Sequence, residues 1–134
     1  MALCRGMSTC QSAVAVLDDE PQMRTALTRL LRTHGLQVEA YGTGEELLAS
    51  LANHSPSCLL LDLHMPGLTG FDVLEALAAA KRTLPVIVLT GHDKAGNQER
   101  VSALGAVAYL LKPLDESALL AAILKATALK PLVT

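Results

Sequence analysis

The sequence has few aromatic residues, no tryptophan and no long apolar run. Tyr41, Phe71 and Tyr109 are its only Phe, Tyr or Trp residues, although 51% of the 134 residues are hydrophobic. The core must therefore consist of Leu, Val, Ile and Ala, which suits helices packed on a sheet. No stretch approaches the length of a membrane-spanning helix, and the N-terminus lacks the apolar segment of a secretory signal. We expect a cytoplasmic protein that does not contact membranes.

Cysteine and excess charge are also scarce. Cys4, Cys10 and Cys58 are odd in number and lack the close pairs of zinc sites, so neither a disulfide framework nor a structural metal is indicated. The formal net charge is -2 and the basic residues are scattered. Without a basic patch there is no electrostatic footprint for nucleic acid, so we expect no direct nucleic-acid contact by this chain.

The sequence does contain a regular alternation of apolar runs and helical patterns. The length of the chain, 134 residues, suits one domain. Each apolar run predicts a strand, and an apolar stripe at helical spacing follows it. The predicted strands are Ala13–Leu17, Val38–Tyr41, Cys58–Leu61, Val86–Leu89 and Ala106–Leu111. Repeated βα units favour a parallel sheet with helices on both faces. The polar Gln37 and Glu39 predict an edge position for the second strand, and the helix over Gln98 to Leu104 has the weakest pattern.

Helix boundaries are marked by a few local signals. Pro21 suits the first turn of the first helix, and Gly35 suits the residue after its end. Thr43 followed by Glu46 predicts a capping box at the start of the second helix. Asp115 and Glu116 supply negative charge at the start of the last helix.

Polar residues follow four of the five strands, immediately after the apolar run in each case. They are Asp18 and Asp19, Asp62, Thr90, and Lys112 with Pro113. The carboxyl ends of parallel strands meet at one edge of a sheet, so these side chains should share one crevice. Three carboxylates, a hydroxyl and an ammonium group suit a divalent cation together with a phosphoryl group.

In order, type and spacing, these residues resemble the receiver domain of two-component response regulators. The matching features are Asp18-Asp19, Asp62-Leu63-His64-Met65-Pro66 with Gly70 four residues later, Thr90-Gly91 and Lys112-Pro113. The resemblance covers residues 13–129 and implies a chemotaxis-receiver-like α/β fold, which is a doubly wound, flavodoxin-like (βα)5 arrangement of a five-stranded parallel sheet in the order 2-1-3-4-5. Residues 1–12 would then be an N-terminal extension without structure, and residues 130–134 a C-terminal tail.

The resemblance also implies a role for each site residue. Asp62 would accept a phosphoryl group from a phosphohistidine of a histidine kinase or histidine phosphotransfer protein, and Thr90 and Lys112 would contact the phosphoryl oxygens. The implied cofactor is Mg²⁺. Its ligands would be Asp19, Asp62 and the backbone carbonyl of His64, with Asp18 acting through water. The chain would be a signalling phosphoacceptor and not an enzyme, apart from its own Mg²⁺-dependent phosphorylation and dephosphorylation.

Two further features concern switching. By resemblance, Tyr109 is the aromatic residue that responds to Thr90 and remodels the face formed by the fourth helix, fifth strand and fifth helix, where a homodimer could form on phosphorylation. The Lys112–Pro113 peptide resembles a cis peptide of the family. His64 and His92 lie two residues after Asp62 and Thr90, and we hypothesise that they tune the lifetime of the aspartyl phosphate. The alternative is two exposed loop histidines without a role.

Other functions fit part of the pattern. A haloacid-dehalogenase-type phosphatase also uses an Asp nucleophile, Thr, Lys and Mg²⁺, but it needs a second Asp two residues after the nucleophile, where this chain has His64. A phosphorylation-independent scaffold is a third hypothesis, although all five core residues are present. Taken singly, each residue has a simpler explanation: Asp18 and Asp19 as helix caps, Thr90 as a strand-end cap and Lys112 as a solvated charge.

Overall fold

The computed structural model describes residues 13–53 and 55–128. The predicted extension at 1–12 and the tail at 130–134 lie outside these residues. The strands are β1 (Val14–Leu17), β2 (Val38–Tyr41), β3 (Cys58–Asp62), β4 (Val86–Thr90) and β5 (Ala106–Leu111). The helices are α1 (Pro21–Thr33), α2 (Gly44–Leu51), α3 (Gly70–Ala79), α4 (Asn97–Ala103) and α5 (Glu116–Ala128). Within the described segments no helix is both long and apolar enough to cross a membrane.

The five strands form one parallel sheet in the order β2-β1-β3-β4-β5. This confirms the predicted fold and the edge position of β2. The register is regular except between β4 and β5, where Val86 lies opposite Ala106 but Ile87 lies opposite Ala108. Val107 is therefore an extra residue in β5, which is the arrangement of a β-bulge.

The core lies on both faces of the sheet, as a doubly wound fold requires. One face is covered by α1 and α5, through side chains that include Leu27, Leu31, Leu119 and Ile123. The other face is covered by α2, α3 and α4, whose buried residues include Leu47, Leu51, Val73, Leu74, Leu77 and Val101. Strands β1, β3 and β4 are buried along their whole length, which explains their continuous apolar sequence.

The helix starts show how well local signals define the boundaries. α1 begins at Pro21 as predicted. Thr43 caps α2 by accepting a hydrogen bond from the Glu46 backbone N–H at 3.1 Å, but the Glu46 carboxylate accepts from Gly42 and not from Thr43. Asp115 caps α5 by accepting a hydrogen bond from the backbone N–H of Ala118 at 2.9 Å.

Helix α4 begins and ends one residue earlier than its sequence pattern predicts. Gly96 precedes it with a φ of 87°, a left-handed conformation that glycine adopts without steric cost, and no side chain caps the helix there. Val101 is its one fully buried residue. α4 is therefore short and lightly anchored.

Candidate functional site

The fold brings the predicted site residues to one edge of the sheet. Asp18 directly follows β1, Asp62 ends β3, Thr90 ends β4 and Lys112 directly follows β5. Backbone hydrogen bonds extend the ladder past the strand ends, from Asp18 N–H to the carbonyl of Tyr41 at 3.2 Å and from Lys112 N–H to the carbonyl of Thr90 at 2.8 Å. The side chains are thus held on rigid strand ends and not on free loops.

Asp18, Asp19 and Asp62 form a compact acidic cluster. Each contributes a carboxylate oxygen, and the three oxygens lie within 4.8 Å of one another. Asp18 is completely buried and Asp62 is 5% exposed, whereas Asp19 is half-buried. None of them caps α1, because the residue in that position is Glu20 and its side chain makes no capping hydrogen bond. The helix-cap explanation for Asp18 and Asp19 does not apply.

Every polar group of Asp18 has a protein partner. Its Oδ1 accepts a hydrogen bond from the Glu20 backbone N–H at 2.9 Å, and its Oδ2 accepts from Lys112 Nζ at 3.0 Å. Its carbonyl oxygen accepts from Arg24 Nη1 at 2.7 Å. Together with its N–H bond to Tyr41, these contacts fix the turn that leaves β1.

Lys112 lies between two carboxylates. Its Nζ is 3.0 Å from Asp18 Oδ2 and 3.7 Å from Asp62 Oδ1. The ammonium group is therefore shared between the two carboxylates, and Asp18 is the closer partner. The Lys112–Pro113 peptide is cis.

The pKa values of Asp62 and Lys112 are both raised above their ordinary values. Burial raises the pKa of Asp62, and the charges of Asp18 and Asp19 raise it further, against the opposing effects of Lys112 and of a hydrogen bond from the His64 backbone N–H. For Lys112, burial lowers the pKa, but the hydrogen bond to Asp18 and the charge of Asp62 outweigh it and raise the pKa above its ordinary value. Lys112 is therefore charged and offsets part of the repulsion among the carboxylates.

Thr90 is fully buried, and its hydroxyl belongs to a local turn. It accepts a hydrogen bond from the His92 backbone N–H at 3.0 Å and donates to the His92 carbonyl at 3.1 Å. In this structure both hydrogen bonds of the Thr90 hydroxyl are therefore local, as expected of a residue that caps the end of a strand.

Tyr109 is half-buried, and its hydroxyl donates a hydrogen bond to Oδ1 of Asp93, in the β4–α4 loop, at 3.0 Å.

His64 and His92 contact each other, and both line the cleft. Their ring centroids are 4.8 Å apart in an edge-to-face arrangement, and Nε2 of His64 is buried with no hydrogen-bond partner among the described residues. The cleft has a volume of about 280 Å³ and is lined by Asp19, Glu20, Asp62, His64, Gly91, His92 and Lys112. The two histidines and Asp62 therefore line the same cleft.

Gly70 allows α3 to begin close against the backbone of Asp62 and Leu63 at the end of β3. A Cβ atom at this position would lie 2.6 Å from the Asp62 carbonyl oxygen and 2.7 Å from Cα of Leu63, both of them backbone atoms. The Gly70 N–H also donates to the Leu63 carbonyl at 3.1 Å. Only glycine fits this close approach without moving the end of β3.

The donor set of the cluster fits a hard divalent cation. Mg²⁺ favours oxygen ligands and typically takes one or two carboxylates while keeping several waters. Of the three clustered aspartates, Asp19 and Asp62 line the cleft, whereas both carboxylate oxygens of Asp18 already have partners within the protein. The cluster and cleft thus have the chemistry of a Mg²⁺ site.

Sequence reasoning did not single out two residues that organise this region. Arg24 holds the carbonyl of Asp18, and Asp93 holds the hydroxyl of Tyr109. Arg24 occupies an ordinary polar position on α1, and Asp93 lies in a polar loop. Neither position carries a local pattern that would identify its partner.

Comparisons with known proteins agree with the fold. Residues 14–124 match the family model of the response regulator receiver domain. Over 120 residues, which is 90% of this chain and 53% of the relative, the sequence is 38% identical to nodulation protein W of Bradyrhizobium diazoefficiens. Over 127 residues, which is 95% of this chain and 56% of the relative, it is 34% identical to the response regulator protein TodT of Pseudomonas putida. The chain thus spans about half the length of these relatives.

A solved structure gives the same result. The response regulator receiver protein from Burkholderia phymatum superimposes with a TM-score of 0.78 at 36% sequence identity, covering 88% of this chain and 96% of that one. Receiver domains act in signalling with histidine kinases and phosphotransfer proteins, and they bind Mg²⁺ at an acidic pocket. The phosphatase alternative is not favoured. The chain therefore belongs to the response regulator receiver family of two-component signalling.

Proposed function

We propose that Asp62 is the phosphoryl acceptor of this domain. The observation that carries the proposal is the convergence of Asp62, two further carboxylates and the Lys112 ammonium group at the carboxyl ends of three parallel strands. An Asp62 carboxylate oxygen attacks the phosphorus of a phosphohistidine, and the P–N bond breaks. The imidazole nitrogen of the donor keeps the electron pair of that bond and takes up a proton.

Charge neutralisation is the main requirement of this transfer, and the cleft supplies it. Lys112 lies 3.7 Å from Asp62 and is placed to contact a phosphoryl oxygen there. Asp19, Asp62 and the His64 carbonyl would hold Mg²⁺, which offsets the negative charge of the carboxylates and the incoming phosphoryl group. Asp18 supports this arrangement by holding Lys112 in position.

Thr90 and Tyr109 provide a route from the phosphoryl group to the surface. To donate to a phosphoryl oxygen, the Thr90 hydroxyl must leave the carbonyl of His92, which changes the loop that carries Asp93. Asp93 holds the Tyr109 hydroxyl. A change at Thr90 is thereby passed to Tyr109 and to the α4–β5–α5 face, which we propose as the output surface and as the surface of a homodimer formed on phosphorylation.

We also propose that His64 and His92 limit the access of water to the phosphorylated Asp62. Their rings lie in contact and line the cleft, where they would narrow the path of an attacking water. Replacing both by Ala should shorten the lifetime of the aspartyl phosphate several-fold, measured as loss of label after removal of the donor. An unchanged lifetime would contradict this role and would support the reading of two loop histidines without function.

The partners of the whole protein follow from the same proposal. The phosphoryl donor would be a histidine kinase or a histidine phosphotransfer protein. The relatives described above extend well beyond the length matched here, and one of them is a response regulator protein. We propose that this protein, like that relative, acts as a response regulator.

The central assignment is tested by labelling with a small phosphodonor. Incubation of the wild type with acetyl phosphate and Mg²⁺ should add one phosphoryl group by intact mass. Asp62→Asn should abolish this gain, whereas Asp72→Asn should retain it, because the Asp72 carboxylate caps α3 and does not line the cleft. Undiminished labelling of Asp62→Asn would overturn the assignment. Complete failure of the wild type to label with acetyl phosphate and with phosphohistidine donors would instead favour a phosphorylation-independent scaffold.

A further inference from the structure

Arg24 makes an unusual contact for a surface-helix arginine, because its guanidinium turns back toward the strand that precedes the helix. It lies in the first turns of α1, and its Nη1 donates to the carbonyl oxygen of Asp18 at 2.7 Å. The side chain is half-buried. This distance is short for a charge-assisted hydrogen bond, which is stronger than a neutral one. The contact therefore restrains the chain where it leaves β1.

The carbonyl of Asp18 belongs to the peptide plane that joins Asp18 to Asp19. Peptide bonds are planar, so a fixed carbonyl also fixes the N–H of the next residue and the direction in which its Cα is displaced. Asp18 is immobilised at its N–H by Tyr41 and at its carboxylate by Glu20 and Lys112. Asp19 has no comparable hydrogen bond to its carboxylate among the described residues. Its placement toward Asp62 therefore depends on the peptide plane that Arg24 holds.

Gly42 keeps the space that the guanidinium occupies. A Cβ atom on this residue would lie 2.9 Å from Nη1 and 3.3 Å from Cζ of Arg24. Gly42 directly follows β2, and its own N–H is bound by Glu46 at 3.1 Å. An alanine would therefore displace the end of the Arg24 side chain while leaving the backbone of the loop in place.

The charge of Arg24 is not what links it to the acceptor. The cation that opposes the rise in the pKa of Asp62 is Lys112, whose ammonium group lies 3.7 Å away. Arg24 instead reaches a neutral carbonyl on the far side of the Asp18 backbone. Its contribution is geometric.

We infer that Arg24 is a positioning residue for the metal-binding carboxylates, and that it acts by fixing the Asp18–Asp19 peptide so that Asp19 faces Asp62. This inference rests on the proposed function, because it requires that the acidic cluster binds Mg²⁺. Residues that orient metal ligands commonly change metal affinity by 10-fold or more when they are replaced. Arg24 and Gly42 together form the support for one of the ligands.

The test is to measure the Mg²⁺ affinity of each variant in two ways. One is isothermal titration calorimetry, and the other is the increase in melting temperature with Mg²⁺ concentration. Arg24→Met removes the donor and should weaken Mg²⁺ binding by about 10-fold. Gly42→Ala should weaken it in the same direction to a smaller extent. Arg24→Lys keeps a donor on a flexible side chain and should recover part of the affinity. Arg29→Met is the matched control, because Arg29 is an exposed arginine on the same helix.

The outcomes separate this inference from the function on which it rests. If the wild type binds Mg²⁺ and Arg24→Met binds it as tightly as Arg29→Met does, the positioning role is wrong and the metal site stands. If Arg24→Met and Arg24→Lys weaken binding equally and both lower the metal-free melting temperature, Arg24 has a general structural role and the inference fails. If the wild type does not bind Mg²⁺ at millimolar concentration, both the metal site and this inference are overturned.

Discussion

Lys112 Nζ lies 3.0 Å from Asp18 Oδ2, and Asp18 is completely buried. Removal of the cation would leave a buried carboxylate without its charge partner, which is strongly destabilising in proteins. We expect Lys112→Met to lower the free energy of unfolding by about 3 kcal/mol in metal-free buffer, measured by urea denaturation. Lys125→Met, at an exposed position on α5, should change it little.

A double variant tests whether Lys112 stabilises the protein through its charge. Lys112→Met combined with Asp18→Asn removes both charges, so its stability should exceed that of Lys112→Met alone. Equal stability of the two variants would show that Lys112 contributes by packing and not by its charge.

Asp62 should make the stability of the metal-free protein depend on pH. Burial, followed by the charges of Asp18 and Asp19, raises its pKa in the folded protein. The folded state then binds this proton more tightly than the unfolded chain does, and ionisation costs folding free energy as the pH rises through the folded pKa. Asp62→Asn should therefore stabilise the protein at neutral pH by on the order of 1 kcal/mol and by nothing below about pH 4. Melting temperatures at the two pH values, without Mg²⁺, check this, and a variant less stable than wild type at neutral pH would refute it.

The hydrogen bond between Tyr109 and Asp93 can be observed directly by titration. Burial raises the pKa of the Tyr109 hydroxyl, and the hydrogen bond and charge of Asp93 raise it further. Asp93→Asn removes the negative charge and should lower this pKa toward the ordinary value of about 10. The measurement is the absorbance of tyrosinate against pH, in a Tyr41→Phe background so that only one tyrosine titrates. An identical titration curve with and without Asp93→Asn would mean that the contact is not formed in solution.

Helix α4 is held to α3 by Arg100. The guanidinium carbon lies 4.0 Å from the centroid of the Phe71 ring, and Nη2 lies 3.6 Å from a carboxylate oxygen of Glu75. Both charged side chains are more than half exposed, so we expect Arg100→Met to cost only about 0.5 to 1 kcal/mol overall. Its local effect should be larger, because α4 buries only Val101 completely.

Hydrogen exchange measured by mass spectrometry can separate these two effects. Peptides that cover 97–103 should exchange faster in Arg100→Met, while peptides from α1 should not change. Arg32→Met, at an exposed position on α1, is the control. Uniform acceleration across the chain would indicate global destabilisation and no specific tie between α3 and α4.

Gly70 should be the least replaceable glycine near the site. A Cβ at this position would meet two backbone atoms at 2.6 and 2.7 Å, and backbone at the end of a buried strand cannot move cheaply. Gly70→Ala should therefore destabilise the protein by about 1 to 3 kcal/mol, as overpacking does elsewhere. Gly91→Ala is the comparison, since its Cβ would have no atom within 4 Å. Equal stability of the two variants would contradict the close approach.

Much of this architecture could be predicted from local sequence. The apolar runs located the strands because each strand is buried on one or both faces, and the polar residues after four of the five runs marked the edge where the site forms. The strand order could be predicted only from the family resemblance, because periodicity does not say which strands are neighbours. The start of α4 was wrong by one residue, since Gly96 sets that boundary through its backbone conformation.

The contacts within the site were less predictable. Lys112 reaches Asp18 more closely than Asp62, and this preference depends on side-chain geometry across three strands. Arg24 and Asp93 were missed because their partners are reached through space, at distances that no sequence spacing encodes. The composition of the cleft was thus predictable from the sequence, whereas its internal connections were not.

The extra residue in β5 determines on which side of the sheet Tyr109 lies. Tyr109 pairs with Val88, which points toward α2, α3 and α4. If β5 followed β4 residue by residue from Ala106, Tyr109 would instead lie opposite Leu89 and point toward α1 and α5. Deleting Val107 would therefore give a regular ladder in which Tyr109 still lies opposite Val88 and on the same side of the sheet. In the present sequence, the unpaired Val107, near the start of β5, decides that Tyr109 faces α2, α3 and α4 and not α1 and α5. A movement of Tyr109 would act on those helices.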